Sequence, residues 1–277
     1  MEYKIIVDSC CDLTQKLREQ MGIVSVPLKM RLGQKEFVDD ESLDLDEFMR
    51  EMKACKEKVG SSAPSFFSFQ EAIQNAKNAF VVTLSSQLSG SYSSAVMGKE
   101  YAEEDGVSSA YVFDSKSASA AETLIAIKLH ELISLSTPKE QIIKTVEQFI
   151  DNMKTYFVLE NYENLQKNGR LNKITGKLIQ ILNVKLIMGT DRMGNIALYE
   201  KARGAKQMMK QLLLLIEKSG KTTVGEKLVI SHCNNLDLAT RLSEAIKQQF
   251  QFQEILIIPS GGLSSLYTDD KGIVLAF

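Results

Sequence analysis

The sequence predicts an α/β protein whose first part folds around a parallel sheet. Three apolar runs, at 3–7, 79–84 and 110–113, have the length of buried strands. Each run ends in a polar turn that carries serine, and a helical pattern follows each turn. This repeated order of strand, polar loop and helix is typical of a parallel sheet with helices on both faces. In such sheets, ligands bind at the carboxyl ends of the strands.

The elements of this first part follow from periodicity and from helix-end signals. Helices are predicted over 13–21, 45–58, 66–77, 93–104, 118–135 and 138–153. Asp12 or Thr14 is a candidate N-cap of the first helix. The turn at 32–34 predicts a small hairpin near 26–38, and residues 60–65 read as a loop.

After residue 154 the pattern changes to strands joined by hairpins and mixed with long helices. Strands are predicted at 156–159, 184–188, 196–201, 227–231, 254–258 and 272–277, and helices at 174–181, 205–219 and 236–250. This mixture favours an α+β domain. We therefore expect an α/β domain over 1–154 and an α+β domain over 155–277. The junction is poor in glycine and proline, so the two should pack rigidly.

Composition limits the classes of function. The chain of 277 residues has 33 basic and 35 acidic side chains, and this balance predicts no nucleic-acid partner. No stretch approaches the ~20 apolar residues of a membrane span, and the N-terminus does not resemble a signal peptide. The four cysteines have neither disulfide nor metal-ligand spacing. We expect a cytoplasmic protein without a metal or a cofactor.

Two serine-rich loops are the strongest candidates for a binding site. One contains Ser61 and Ser62, and the other contains Ser89, Gly90 and Ser91. Hydroxyls and the amides of a helix start can together bind a carboxylate or a phosphate. The same residues also build turns and cap helices, which is their commoner role. From the residues alone, both interpretations stay open.

Other polar residues are weaker candidates for a functional site. Asp8-Ser9 and Asp114-Ser115 follow predicted strands, where such residues commonly form turns. Alternatively, they could form the active site of a phosphotransferase or hydrolase that acts on a small substrate through serine and aspartate. Arg170 and Arg203 each stand beside a glycine, which suits contact with an anion, although a solvated surface turn explains Arg170 equally well. The two histidines, His130 and His232, occur in no nucleophile motif.

Several segments in a fixed order resemble the DegV family of fatty acid-binding proteins. They are Ile5-Ile6-Val7-Asp8-Ser9-Cys10-Cys11-Asp12-Leu13, Val26-Pro27-Leu28, Ser61-Ser62-Ala63-Pro64-Ser65, Ser85-Ser86-Gln87-Leu88-Ser89-Gly90-Ser91-Tyr92, Val112-Phe113-Asp114-Ser115, Asn168-Gly169-Arg170-Leu171 and Lys201-Ala202-Arg203-Gly204. The resemblance implies a ligand tunnel between the two domains that holds a long-chain fatty acid. It also implies that Ser61 and Ser89 bind the carboxylate, with Arg203 near the head group.

The family role implied by this resemblance is that of a carrier rather than an enzyme. Some members present the acid to a separate fatty acid kinase subunit, which returns an acyl phosphate. Such a role also allows transient contact with a membrane. Many members carry a histidine near the C-terminus that helps to hold the carboxylate. This chain has Tyr267 there, and we expect its hydroxyl to replace the histidine.

Three hypotheses therefore stand at this point. The first is the fatty acid carrier. The second is an enzyme built on Asp8, Ser9, Asp114 and Ser115. The third is a regulatory module that lost ligand binding together with the histidine.

Overall fold

The computed structural model describes residues 3–104, 106–171 and 184–277. Its strands are β1 (Lys4–Asp8), β2 (Val24–Val26), β3 (Lys29–Leu32), β4 (Lys35–Val38), β5 (Val59–Ser62), β6 (Asn78–Thr83), β7 (Ser109–Asp114), β8 (Thr155–Val158), β9 (Val184–Thr190), β10 (Ile196–Arg203), β11 (Lys227–His232), β12 (Glu254–Pro259) and β13 (Ile273–Ala276). Its helices are α1 (Gln15–Met21), α2 (Leu45–Ala54), α3 (Phe66–Ala76), α4 (Ser91–Glu103), α5 (Ala120–Ser134), α6 (Lys139–Asn152), α7 (Glu163–Lys167), α8 (Gly204–Lys218), α9 (Leu236–Gln249) and α10 (Gly262–Thr268). The helix predicted at 174–181 lies outside the described residues.

The N-terminal part is a parallel sheet in the order β2-β1-β6-β7. Alternate side chains of its strands face opposite layers of helices, as the twofold repeat of a strand requires. Ile6 packs with Phe69 of α3 on one face. Val7 and Phe80 pack with Ile125 of α5 and with α6 on the other face. The prediction of an α/β fold with helices on both faces is confirmed.

The C-terminal part is a mixed sheet in the order β10-β9-β8-β13-β11-β12. All of its neighbouring strands are antiparallel except β11 and β12. Helices α8 and α9 cover one face, and α5 covers the other, where Leu124 packs with Phe157 and Val274. The prediction of a second, α+β part is confirmed, while the boundary at 154/155 stays a prediction.

Helix α5 joins the two parts because it packs between their sheets. Residues 120–127 are all buried. Burial on every side over two turns is typical of a helix in such a central position. The two sheets therefore share one helix instead of meeting through a flexible linker.

A small antiparallel sheet, β4-β3-β5, lies beside the main sheets. The hairpin is formed by β3 and β4. The predicted loop at 60–65 is wrong at its start, because β5 pairs with β3 and places Ser61 opposite Met30. The predicted helix at 45–58 ends earlier, at Ala54, and leaves room for this strand.

Helix α10 occupies a stretch in which the sequence pattern predicts no element. The carboxylate of Asp39 accepts hydrogen bonds from the backbone N–H groups of Gly262 (2.9 Å) and Leu263 (3.0 Å). Asp12 accepts another from Gly261 at 2.7 Å. Carboxylates at a helix N-terminus satisfy its free N–H groups and stabilise it. The N-terminal part thus fixes the helix that carries Tyr267.

Candidate functional site

A cavity lies between the two parts of the chain. Its empty space, counted with the portion open to solvent, is about 760 Å³. The apolar residues that line it are Leu28, Leu84, Leu88, Ala118, Phe157, Leu159, Leu165, Ile196, Leu263 and Val274. They come from both parts, and their side chains suit a hydrocarbon ligand.

A pair of hydroxyls lies in the wall of this cavity. The Ser61 Oγ and Tyr267 Oη atoms are 2.8 Å apart and share a hydrogen bond that either oxygen can donate. Strand β5 supplies the serine and α10 supplies the tyrosine. Because a shared bond uses one hydroxyl proton, the second O–H of the pair remains free to donate to a ligand.

The second serine loop meets the first one beside the cavity. A Cβ atom added at Gly90 would lie 3.8 Å from the Cβ of Ala63, so the loops are in contact. Ser89 lines the cavity, and its Oγ accepts a hydrogen bond from the backbone N–H of Ser91 at 3.2 Å. Its own proton is therefore available. The structure thus brings Ser61, Ser89 and Tyr267 into one cavity.

The remaining serines of the two loops do not line this cavity. The Ser91 side chain is buried, and its Oγ donates to the Oδ2 of Asp8 at 2.6 Å. Ser62 is exposed and lies opposite Lys29 in the β3–β5 register. Gly90 forms the N-cap of α4 without a side-chain bond. These residues shape the loops around Ser61 and Ser89.

Arg170 is the arginine that lines the cavity. Its Nε donates to the carbonyl of Leu88 at 3.1 Å, and its Nη1 donates to the carbonyl of Asn168 at 2.6 Å. The guanidinium carbon lies 5.6 Å from the centre of the Tyr267 ring, within cation–π range. Across the described ranges it forms no ion pair, so its charge is free for a ligand.

Arg203 lies elsewhere. Its side chain is exposed at the end of β10, directly before α8. Its backbone N–H donates to the Oε1 of Gln207 at 2.6 Å. It is absent from the residues that line the cavity in the described part of the chain. The sequence analysis favours Arg203 over Arg170, because the contact between Leu88 and Arg170 forms only in the folded chain.

The four residues of the enzyme hypothesis form hydrogen bonds with backbone groups near the ends of strands. Asp8 accepts hydrogen bonds from the backbone N–H groups of Cys10 and Leu84. Asp114 accepts from Ser86 and Lys116 in the same way. Ser9 accepts from the N–H of Leu28, and Ser115 donates to the carbonyl of Ser117. Within the described ranges no histidine hydrogen-bonds to either serine hydroxyl, and the carboxylate that meets Ser9 is Asp39, which binds the start of α10.

Asp12 is a further residue whose importance the sequence does not reveal. Its Oδ2 accepts from the hydroxyls of Ser119 (2.5 Å) and Ser231 (2.6 Å), and its Oδ1 accepts from Gly261. The predicted alternative cap, Thr14, is the residue that caps α1. Asp12 instead connects the loop after β1 with α5, β11 and α10, and so holds the cavity walls together.

A buried acidic cluster lies next to the cavity. The ligand atoms of Asp8, Cys10 and Glu122 are within 4.8 Å of one another, and among the described residues no group meets either Glu122 oxygen with good hydrogen-bond geometry. Burial, followed by the Asp8 charge, raises the pKa of Glu122 well above its ordinary value. Burial also raises the pKa of the Cys10 thiol. These shifts favour the uncharged forms of Glu122 and Cys10, which lowers the electrostatic cost of burying them beside Asp8.

Comparison with known proteins places these features in a family. The sequence profile of the DegV family, described as uncharacterised proteins, matches residues 2–277. A DegV domain-containing protein of Streptococcus pneumoniae is 35% identical, covering 100% of this chain and 99% of the relative.

Two solved structures resemble the whole chain. A DegV family protein from Ruminococcus gnavus, solved with vaccenic acid, has a TM-score of 0.95 and 35% identity, with 100% of both chains covered. The fatty acid kinase (Fak) B3 protein of Streptococcus pneumoniae, loaded with linoleic acid, has a TM-score of 0.91 and 34% identity, covering 100% of this chain and 99% of that one.

Proposed function

This chain belongs to the DegV family, and on that premise we propose that it is a carrier that binds one long-chain fatty acid and presents it to a fatty acid kinase. The observation that carries the proposal is the apolar cavity whose wall contains the Ser61–Tyr267 hydroxyl pair beside Arg170. The two solved relatives contain vaccenic and linoleic acid. Each of these acids has a long apolar chain, which matches the apolar walls, and an anionic head, which matches the polar groups.

The apolar walls supply most of the binding energy in this proposal. Burying a methylene gains about 0.8 kcal/mol, so about a dozen of them gain about 10 kcal/mol before entropic costs. The acyl chain lies against Phe157, Ile196 and Val274 from the mixed sheet and against leucines of the N-terminal part. Such walls accept any apolar chain that fits them.

The polar groups fix the orientation of the acid. Ser61, Ser89 and Tyr267 donate hydrogen bonds to the carboxylate, and Tyr267 takes the place of the histidine found in many family members. Arg170 supplies the positive charge, because two carbonyls use only part of its donor capacity. The predicted role of Arg203 at the head group stays a prediction, because its side chain lies outside this lining.

The carrier itself provides no catalytic step in this scheme, and the kinase transfers the phosphoryl group. We place this cycle in the cytoplasm, where the free cysteines would stay reduced. Loading from a bilayer would need only transient contact. Among the described residues, no helix has the length and apolar character to cross a membrane.

Calorimetric titration with palmitate tests the proposal. We expect one palmitate per chain and at least about tenfold weaker binding in Ser89→Ala, since a hydrogen bond to a charged group is lost. Ser93→Ala, on the exposed side of α4, is the matched control and should bind like the native chain. Absence of binding to the native chain would support the regulatory module. Turnover of an acyl or phosphoryl substrate by the protein alone would support the enzyme.

A further inference from the structure

The acyl cavity has a second polar region, away from the head-group site. Thr155, Phe157 and Leu159 all line the cavity, because alternate residues of an extended chain share one face. The chain continues from Leu159 into α7 and on to Arg170, so the head group lies beyond that end of β8. Thr155 lies at the opposite end, about 13 Å from Leu159 at the rise of an extended chain.

Three hydroxyl side chains meet at this far end of the cavity. Ser117, Thr155 and Thr190 line it there, and we call them the distal hydroxyl cluster. In the antiparallel register of β8 and β9, Tyr156 is opposite Gly189, which places Thr155 opposite Thr190. Side chains at directly opposite positions lie on one face, with their Cβ atoms about 5 Å apart. The Ser117 Oγ donates to the Oγ1 of Thr155 at 2.8 Å.

The protein itself closes this end of the cavity. The turn between β9 and β10 lies over the loop after β7, where a Cβ added at Gly194 would be 3.0 Å from the Cα of Lys116. The Ser85 Oγ donates to the carbonyl of Gly194 at 2.8 Å. Ser117 and Thr155 are buried, and Thr190 is partly buried. The distal hydroxyl cluster therefore faces the cavity.

Two hydroxyl protons of the cluster have no acceptor across the ranges that the structure describes. The Oγ1 of Thr155 accepts the bond from Ser117, which leaves its own proton unused. Thr190 accepts a hydrogen bond from the Tyr199 hydroxyl (2.8 Å) through its carbonyl, and not through its side chain. A buried hydroxyl without a hydrogen-bond partner is unfavourable. An oxygen atom on the ligand would remove this cost, whereas an unsubstituted acyl chain would not.

We propose that the cavity prefers fatty acids that carry a hydroxyl group in the half of the acyl chain remote from the carboxylate, and that the distal hydroxyl cluster binds that group. This inference rests on the proposed function and names the class of acid. A ligand hydroxyl has two lone pairs and one proton. It can therefore accept from Thr155 and Thr190 and donate to the Oγ of Ser117.

Displacement of a fluorescent fatty acid measures this preference in the native chain. The competitors are stearate and two hydroxystearates, one with the hydroxyl in the middle of the chain and one with it on the terminal carbon. In a tunnel without polar groups, either hydroxyl would weaken binding by about tenfold, because it would be buried without a partner. We expect at least one of the hydroxystearates to bind as tightly as stearate or more tightly.

Thr155→Val with Thr190→Val removes both free protons at nearly the same side-chain size. Binding of the preferred hydroxystearate should weaken about tenfold, whereas stearate binding should weaken less than about twofold, because the apolar walls remain. Thr155→Ser with Thr190→Ser keeps the hydroxyls and should keep the preference. Thr222→Val, at an exposed position outside the cavity lining, is the matched control.

The outcomes separate this inference from the function on which it rests. Weaker binding of both hydroxystearates than of stearate by the native chain would overturn the inference and leave the fatty acid carrier intact. An equal loss of affinity for stearate and hydroxystearate in the valine variant would also overturn it, because the threonines would then only support the cavity wall. Failure of the native chain to bind any of the three acids would overturn the proposed function as well.

Discussion

Replacing Tyr267 by phenylalanine tests the head-group site with a single atom. The change removes the hydroxyl that lies 2.8 Å from the Ser61 Oγ, and it keeps the ring that Arg170 covers. Because a hydrogen bond to a charged group is worth about 1.5–3 kcal/mol, fatty acid binding should weaken by about 10-fold to 150-fold. The free energy of unfolding of the unliganded protein should fall less, by about 1 kcal/mol, since a bond between two neutral hydroxyls is lost.

Displacement of a fluorescent fatty acid measures the affinity, and urea unfolding of the unliganded protein measures the stability. Tyr101→Phe is a suitable control, because Tyr101 is exposed on α4 and absent from the cavity lining. Unchanged palmitate affinity in Tyr267→Phe, with the stability loss alone, would refute the idea that this tyrosine replaces the family histidine.

Two further predictions concern stability. Burial raises the pKa of Asp39 to about 6 and that of Glu122 well above its ordinary value, so the folded chain holds protons that the unfolded chain releases. The free energy of unfolding should therefore fall as the pH rises from about 4 through about 6. In Glu122→Gln that slope should be shallower in a urea series, and an identical slope would show that Glu122 is ionised. In Gly98→Ala the new Cβ would lie 2.6 Å from the carbonyl oxygen of Phe66, so thermal unfolding should report a loss of about 1–3 kcal/mol, whereas Ser93→Ala on the same helix should cost little.

The strands and long helices of the fold follow from local sequence because their patterns are strong. The run at 79–84 is apolar except for Thr83, and most of it forms β6 at the centre of the parallel sheet. The amphipathic segment at 205–219 forms α8 within one residue of its predicted ends. The continuous apolar run indicates a strand that is buried on both faces, and the helical periodicity indicates which face of α8 is buried.

Elements that are stabilised by residues distant in sequence cannot be predicted from local sequence patterns. Residues 59–62 contain Gly60, Ser61 and Ser62, which have low strand propensity, and they form β5 because β3 pairs with them. Helix α10 is short and begins with two glycines. Its first N–H groups are satisfied by Asp39, more than 220 residues earlier in the chain. No local rule detects such a cap.

The residues of the site also differ in whether local sequence predicts them. Ser61 and Ser89 stand out because each lies in a serine-rich loop before a predicted helix. Tyr267 stands out only through the family resemblance. Arg170 is positioned by the carbonyl of Leu88, 82 residues away in sequence. Its place in the cavity wall therefore cannot be predicted from the residues around it in the chain. Asp12 resembles an ordinary turn residue until α5, β11 and α10 surround it.

Native mass spectrometry of the protein purified from a bacterial host tests the carrier claim most directly. The account predicts a species heavier than the bare chain by the mass of one long-chain fatty acid, and this mass should disappear on delipidation and return when oleate or palmitate is added. A bare chain that takes up neither acid would contradict the account.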